Sequence, residues 1–389
     1  MVQRHLEPTD PTAGASPGLP PAPERLPGGP EPFPAAPERP PAAPELGTPT
    51  AETVAGYLRA QATEFLRALR LHRETGPGTG GPESPVDAAR ALRRSARRIS
   101  GTLHTFQALL DPDWAETMRP ELAWLSGTLA LEHAYAARLE RLLQALHRLS
   151  GSAPAGQAFP ARPALPERGS LTVGAAKAGA LLDRQLTLAR TRAHSTALQA
   201  LGSARFHAVA DKVAVLASEV PLAPTAAGAD PRPLAAAALG RLTDAVAALP
   251  LVTAGSPYNS EALVHGLSPD PSPHPQDAPW HQVRLLLRLH RYAREVLLGT
   301  GATALPGDGR EPGPDPAEVR LLAAGEALDR HRDASEAAAA AAQAARTPRI
   351  APATAYALGV LHADQRHEVE AARYAFQHCW QKETVTTAP

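Results

Sequence analysis

Apolar residues along the chain are interleaved with arginine and glutamate, without the sustained apolar–polar alternation of a β-strand. Alanine, leucine, arginine and glutamate, which are strong helix formers, fill eight stretches that contain no proline. Because proline inside a helix costs about 3 kcal/mol, these stretches mark where helices can form. They are Thr50–Gly76, Val86–Asp111, Glu121–Ala153, Glu167–Val220, Leu234–Leu249, Trp280–Leu305, Ala317–Thr347 and Ala353–Ala388. The pattern predicts an all-α fold.

Proline also marks the predicted helix starts and the segments between helices. Capping residues precede proline at Thr48–Pro49, Ser84–Pro85, Asp111–Pro112 and Asp315–Pro316. Segments rich in Gly, Pro, Ser and Asp are interpreted as loops or insertions: Gly76–Pro82, Ser152–Pro166, Pro250–Pro279 and Gly299–Pro314. Residues 1–48, with 14 prolines and one aromatic residue, predict a disordered Pro/Ala-rich tail before a helical domain over 49–385.

The overall charge balance hides a local excess of arginine. The 389 residues include 39 basic and 39 acidic side chains, and this zero net charge argues against a globally basic nucleic-acid-binding protein. Between Ala88 and Leu110, however, there is no acidic residue. The five arginines of that stretch are Arg90, Arg93, Arg94, Arg97 and Arg98. On a helix they span about 140° of the circumference, opposite a leucine-rich side, so this helix has one packed and one cationic face.

A second basic face has the same spacing. The residues are His281, Arg284, Arg288, Arg291 and Arg294, and no acid occurs before Glu295. Adding 191 to positions 90, 93 and 97 gives 281, 284 and 288, so both stretches carry a basic or His residue and two arginines at i, i+3 and i+7. The repeat predicts two related helical halves, about 49–220 and 232–385.

The arginines of the first face form five pairs spaced i,i+3 or i,i+4. Repulsion within these pairs costs about 1–2.5 kcal/mol in total. Three explanations stay open: a solvated face, pairing with Asp and Glu of neighbouring helices, or an external polyanion. Guanidinium groups bind phosphate oxygens bidentately, which makes a phosphorylated polymer a candidate ligand.

Two segments resemble the signatures of a known family. Arg90–Asp111 resembles the first signature helix of CHAD domains, the conserved histidine α-helical domains, and Trp280–Glu295 resembles the second. Further matches are Gly56–Gln61, Trp124–Gly127, Ser203–Phe206 and the closing helix from Leu358. The resemblance covers roughly residues 50–385. It implies two similar four-helix bundles about an approximate twofold axis, with a cationic inner surface that binds inorganic polyphosphate.

The resemblance also implies which residues bind the ligand. By position these are Arg90, Arg93, Arg97, Arg98, His281, Arg284, Arg288 and Arg291, with Arg205 and Arg366 as secondary candidates. The chain departs from the family pattern at Arg90, where a histidine is expected, and at Ser100, His133-Ala134 and Leu289. These departures leave a second hypothesis open, a scaffold or protein-interaction domain that keeps the fold and has lost polyphosphate binding.

Other chemistry has little support in the sequence. There is no glycine-rich phosphate loop, no nucleophile elbow and no HExxH pair, and the single cysteine cannot build a multi-cysteine zinc site. We therefore expect no catalytic residue, no cofactor and no metal. With no apolar run long enough for a signal peptide or a membrane span, we expect a cytoplasmic protein, with polyphosphate granules as one location, no membrane partner and no general nucleic-acid binding.

Overall fold

Helices form nearly all of the regular structure in the part of the chain that the computed structural model describes, residues 49–74, 85–151, 168–256, 264, 266–267, 274–298 and 316–381. They are α1 (Ala51–Glu74), α2 (Pro85–Thr105), α3 (Pro112–Leu149), α4 (Arg168–Leu201), α5 (Ala204–Ser218), α6 (Arg232–Ala247), α7 (Leu251–Ala254), α8 (Ala278–Leu298), α9 (Pro316–Ala345) and α10 (Pro352–Gln381). These ranges contain no β-strand, which confirms the all-α prediction. The predicted tail at 1–48 and the predicted loops at 76–82, 152–166 and 299–314 lie outside the described residues, as does part of 250–279.

The start of α3 confirms one predicted cap and corrects one predicted boundary. The Asp111 carboxylate accepts a hydrogen bond from the backbone N–H of Trp114 at 2.8 Å. The proline-free stretch from Glu121 does not bound this helix, because α3 begins at Pro112 and continues through Pro120. Met118 and Leu122 are buried on either side of Pro120, so core packing offsets the backbone hydrogen bond that proline removes.

The proline-free stretch 167–220 forms two helices instead of one. They are separated at Ser203, whose hydroxyl accepts a hydrogen bond from the backbone N–H of Phe206 at 3.2 Å and so caps α5. Proline therefore locates some helix ends, and a serine cap without proline locates another.

Three clusters of buried apolar side chains hold the helices together. The first joins α1, α2, α5, the first half of α3 and the end of α8. The second joins the later part of α3 and α4 to α9 and α10, and the third joins α6, α8, α9 and α10 around Trp280 and Phe376. The first cluster thus lies mostly before residue 220 and the third after residue 232. The division into two similar four-helix bundles stays a prediction.

The basic faces of α2 and α8 are held close together by a glycine. Leu92, Ile99 and Leu103 of α2 are fully buried, on the side opposite the arginines as predicted. At Gly101 a Cβ atom would lie 2.6 Å from Cδ2 of Tyr292 on α8. Since that distance is too short for a side chain, glycine lets α2 approach α8 and brings the two basic faces together.

Candidate anion-binding site

Arginines of three helices converge where α8 packs against α2 on one side and α9 on the other. Arg93 and Arg97 come from α2, Arg284 and Arg288 from α8, and Arg332 from α9, and we call these five residues the cationic cluster. All five are half-buried. Burial and the charges of Arg97, Arg332 and Arg284 lower the pKa of Arg93, which shows how close the groups lie. The structure brings together four predicted ligands and adds a fifth arginine.

Three members of the cationic cluster lack a carboxylate partner. Among the described residues, no Asp or Glu forms an ion pair with Arg93, Arg97 or Arg288, and we call these three the unpaired arginines. Nε of Arg93 is buried without a hydrogen-bond partner. Burial, followed by the charges of Arg97 and Arg284, lowers the pKa of Arg288. A lowered arginine pKa means that the charged form is held at a free-energy cost, which a bound anion would relieve.

The other two members are paired with carboxylates of α9. Arg284 contacts Asp329, and Arg332 contacts Asp333 and lies 3.8 Å from Glu336. Burial lowers the pKa of Arg284 more than the ion pair with Asp329 raises it. Pairing with neighbouring acids, one of the explanations left open above, therefore applies to this part of the basic faces and does not apply to the unpaired arginines.

Arg98 lies at the edge of the cationic cluster and is engaged elsewhere. Its Nε donates to Oε2 of Glu295 at 2.8 Å, and its Nη2 donates to Oε1 at 3.3 Å. The Tyr57 hydroxyl donates to the same carboxylate at 2.8 Å. Burial first, and then the Glu295 charge, raises the pKa of Tyr57 above its usual value. Glu295 thus neutralises Arg98, which the sequence assigned to the ligand set.

Two of the departures from the family pattern contact each other. Arg90 replaces the expected histidine and His133 replaces an expected arginine, and Nη2 of Arg90 lies 3.4 Å from Nδ1 of His133. Arg90 also pairs with Asp87 at 3.1 Å. Asp87 thus provides a counter-charge for Arg90, beside the contact with His133.

A cleft between α3 and α9 extends the cationic cluster. It has a volume of about 330 Å³ and runs from Arg93 past His133 and Tyr135 to Arg138 and Arg141. Arg138 contacts Glu336, and Arg141 donates from Nε to Oε1 of Gln365 at 2.6 Å. Sequence reasoning missed Arg138, Arg141 and Arg332, because each has an acidic residue within a few positions and none belongs to an acid-free run.

His281 and Arg291 border the cationic cluster on either side along α8. Nε2 of His281 is buried without a hydrogen-bond partner, and burial lowers the pKa of its imidazole. His281 also packs edge to face against His331, at 5.5 Å between ring centroids. Arg291 lies beside Gly325 of α9 and borders a small cavity with Glu318. His281 therefore lies beside the cationic cluster with its Nε2 buried, and Arg291 lies toward the start of α9.

Arg366 lies in a different place, a buried ionic network formed by Asp277, His331, Arg366, Glu370 and Arg373. Its Nη1 donates to Oδ2 of Asp277 at 2.7 Å, and Arg373 donates to Oδ1 at 2.7 Å. Arg373 also donates to Glu370 at 2.7 Å. Arg366 is only 2% exposed, so it is much less accessible from the surface than the half-buried arginines of the cationic cluster.

Arg205, the other secondary candidate, is also engaged away from the cluster. It pairs with Glu121 at 2.7 Å, and its guanidinium carbon lies 4.1 Å from the ring centroid of Trp124. Both partners lie on α3, within four residues after Pro120. The geometry gives Arg205 a packing contact of the cation–π type.

Within the described residues, no helix is both long and apolar enough to cross a membrane. The same residues contain no group of three or more His, Cys, Asp or Glu side chains placed to hold a metal ion. The absence of a metal, a cofactor and catalytic residues stays a prediction from the sequence.

The comparison with protein families identifies the class of this helical fold. The family model described as the CHAD domain matches residues 50–305, and the chain belongs to that family. Both signature helices fall inside the matched range, as do four of the five members of the cationic cluster. The fifth member, Arg332, lies beyond it.

Among solved structures, the chain is similar to PptA from Streptomyces chartreusis. The two are 71% identical, the match covers 86% of this chain and 100% of that one, and the TM-score is 0.69. The CHAD domain from the plant Ricinus communis matches at 16% identity over 84% of this chain and 92% of that one, with a TM-score of 0.44. A comparison with curated proteins gave no match.

Proposed function

We propose that this protein binds inorganic polyphosphate at the cationic cluster and the adjoining α3–α9 cleft, without catalysing a reaction on it. The observation that carries the proposal is that Arg93, Arg97 and Arg288 lie together, half-buried, with no carboxylate partner among the described residues. Membership of the CHAD family supports it, because the family resemblance implies this ligand.

The chemistry of the site fits a linear chain of phosphates. Guanidinium groups donate two parallel hydrogen bonds to phosphate oxygens and keep their charge at physiological pH. Unpaired charges that are partly desolvated interact more strongly with an anion than exposed ones do. A cleft that carries the cluster on toward Arg138 and Arg141 would let successive phosphates meet successive arginines.

The test replaces the unpaired arginines and leaves the paired ones in place. We expect Arg93→Gln, Arg97→Gln and Arg288→Gln together to weaken polyphosphate binding by about 100-fold or more, because a hydrogen bond to a charged group contributes roughly 1.5–3 kcal/mol. By analogy with nucleic acids, the slope of log K against log salt falls by about 0.7 for each lost phosphate contact. Calorimetric titration with polyphosphate of defined length, across a salt series, measures both quantities.

A matched control removes the same charge elsewhere. Arg73, Arg184 and Arg192 are exposed and form no ion pair in the described part of the chain, so their triple Gln variant keeps the wild-type affinity within about twofold. Wild-type protein that binds no polyphosphate, or equal losses in the two triple variants, would contradict the proposal. Duplex DNA added as a competitor separates polyphosphate binding from general polyanion binding.

Two further parts of the proposal have their own readouts. Binding without catalysis predicts that polyphosphate recovered after long incubation with the protein has an unchanged chain length. If the protein is located at polyphosphate granules in the cytoplasm, the wild-type protein sediments with the granules. The triple variant Arg93→Gln, Arg97→Gln and Arg288→Gln then sediments with them less.

A further inference from the structure

Helix α9 carries a row of carboxylates toward the cationic cluster. Asp329, Asp333 and Glu336 are spaced i, i+4 and i+7, which places them on one side of the helix. We call them the acidic row. Asp329 contacts Arg284 of α8, Asp333 contacts Arg332 of α9 itself, and Glu336 contacts Arg138 of α3. One helix therefore provides counter-charge to arginines of three helices.

The carboxylates of the acidic row lie nearer to solvent than the arginines they contact. The side chains of Arg284, Arg332 and Arg138 are 16%, 28% and 17% exposed. Those of Asp329, Asp333 and Glu336 are 55%, 47% and 38% exposed. The carboxylates are thus more accessible to solvent, and to a ligand arriving from solvent, than the arginines they contact.

The acidic row divides the arginines into two sets. Arg93, Arg97 and Arg288 have no carboxylate partner among the described residues, so their guanidinium groups can donate directly to a phosphate. Arg138, Arg284 and Arg332 already donate to carboxylates. A phosphate oxygen and a carboxylate oxygen take the same guanidinium donors, so they compete for them. A chain that binds the unpaired arginines can gain further contacts only by replacing the acidic row.

We infer that the acidic row is an internal competitor for polyphosphate, which a chain displaces when it extends beyond the unpaired arginines. This inference rests on the proposed function and concerns the same site. Once the first phosphates are bound, those that follow reach the paired arginines at high effective concentration, so a long chain can displace exposed carboxylates where a short one cannot. The acidic row then sets how much affinity the protein gains from each further phosphate.

The test neutralises the acidic row without changing its shape. The variant Asp329→Asn, Asp333→Asn and Glu336→Gln leaves the unpaired arginines intact and removes the competitor. We expect affinity for long-chain polyphosphate to rise by about tenfold or more and the salt dependence of binding to become steeper, since more phosphates contact arginine. Affinity for tripolyphosphate, which the unpaired arginines can accommodate, changes by less than about threefold.

The matched control removes three other carboxylates. Glu116, Glu140 and Glu326 are exposed and contact no arginine in the described ranges, so Glu116→Gln, Glu140→Gln and Glu326→Gln give the same change in net charge. Circular dichroism and urea denaturation establish that each variant is folded before titration. The direction of the change in affinity is a second readout. A merely structural role of the acidic row predicts weaker binding by the variant, and an internal competitor predicts stronger binding.

The outcomes separate the two claims. Wild-type protein that binds neither ligand contradicts the proposed function. Wild-type binding together with unchanged or weaker binding of long chains by the acidic-row variant overturns the internal competitor and leaves the proposed function standing. An equal gain in the control variant also overturns it, because the effect would then come from net charge alone.

Discussion

The cationic cluster and the buried ionic network are both rich in arginine, and they differ in counter-charge. In the network, Arg366 and Arg373 are 2% and 5% exposed and are matched by two buried carboxylates, Asp277 and Glu370. In the cluster, the unpaired arginines are half-buried and have no carboxylate partner among the described residues. Removing one partner of a buried ion pair destabilises the fold because it leaves a buried charge without compensation, whereas an arginine without an internal carboxylate is available to an external anion.

The comparison makes opposite predictions for the removal of charge. Removing a carboxylate from the network leaves buried guanidinium groups uncompensated and destabilises the protein. Removing the unpaired arginines relieves repulsion, so the free protein keeps or gains stability while it loses its ligand. Stability and binding can therefore be changed separately.

Asp277→Asn tests the network and has the largest expected effect. Burial alone would raise the pKa of Asp277, but the hydrogen bond and charge of Arg366 hold that pKa below its usual range. Loss of the carboxylate leaves the buried Arg366 without an acidic partner and Arg373 with Glu370 alone, at a cost of about 3–5 kcal/mol of unfolding free energy. Urea denaturation measures the loss. Asp329→Asn is the control: its carboxylate is exposed, so we expect a change of about 1 kcal/mol or less, and similar losses at both positions would remove the distinction.

Gly101→Ala tests the packing that forms the cationic cluster. The added Cβ would lie 2.6 Å from Cδ2 of Tyr292, so α2 must move away from α8. Such overpacking costs about 1–3 kcal/mol, and the separation of Arg93 and Arg97 from Arg288 weakens polyphosphate binding as well. Gly127→Ala on α3 is the matched control, because nothing lies within 4 Å of its Cβ and the change raises helix propensity by up to about 1 kcal/mol. Unchanged binding in the Gly101 variant would show that the helix spacing does not define the site.

His331 makes the network sensitive to acid. Burial, followed by the charge of Arg373, lowers the pKa of His331 well below its ordinary value, although Asp277 opposes the shift. The unfolded chain takes up a proton near pH 6.5 and the folded protein does not, so the unfolding free energy falls as the pH drops through that range. For this histidine alone the fall between pH 7.5 and 5.5 is about 1.4 kcal/mol. Urea denaturation at the two pH values checks it, and His331→Gln should have a smaller pH dependence; an equal dependence would assign the effect to other groups.

The sequence predicts the helices and the two basic faces because both depend on local pattern. Proline, helix formers and the acid-free run at 88–110 are all visible along the chain. It does not predict which arginines are neutralised, since Arg98 meets Glu295 and Arg284 meets Asp329 only through the packing of separate helices. For the same reason Arg366 resembles a surface ligand in sequence and is buried against Asp277 in the structure.

Glu295→Gln tests whether counter-charge alone decides if an arginine is available to a ligand, and it has the smallest expected effect. The ion pair with Arg98 is partly exposed, at 28% and 30% for the two side chains, so its loss changes the unfolding free energy by about 1 kcal/mol or less. Without the carboxylate, Arg98 becomes a further unpaired arginine next to Arg97. We expect polyphosphate affinity to rise about two- to fivefold, since an ion pair made by a partly exposed arginine contributes roughly 0.2–1 kcal/mol, and the salt slope to rise by about 0.7. Titration of the variant beside Glu116→Gln, which has the same charge change without an arginine contact, isolates the contribution of Arg98. If affinity falls instead, Glu295 positions the site, and the difference between the two arginine groups depends on geometry as well as on charge.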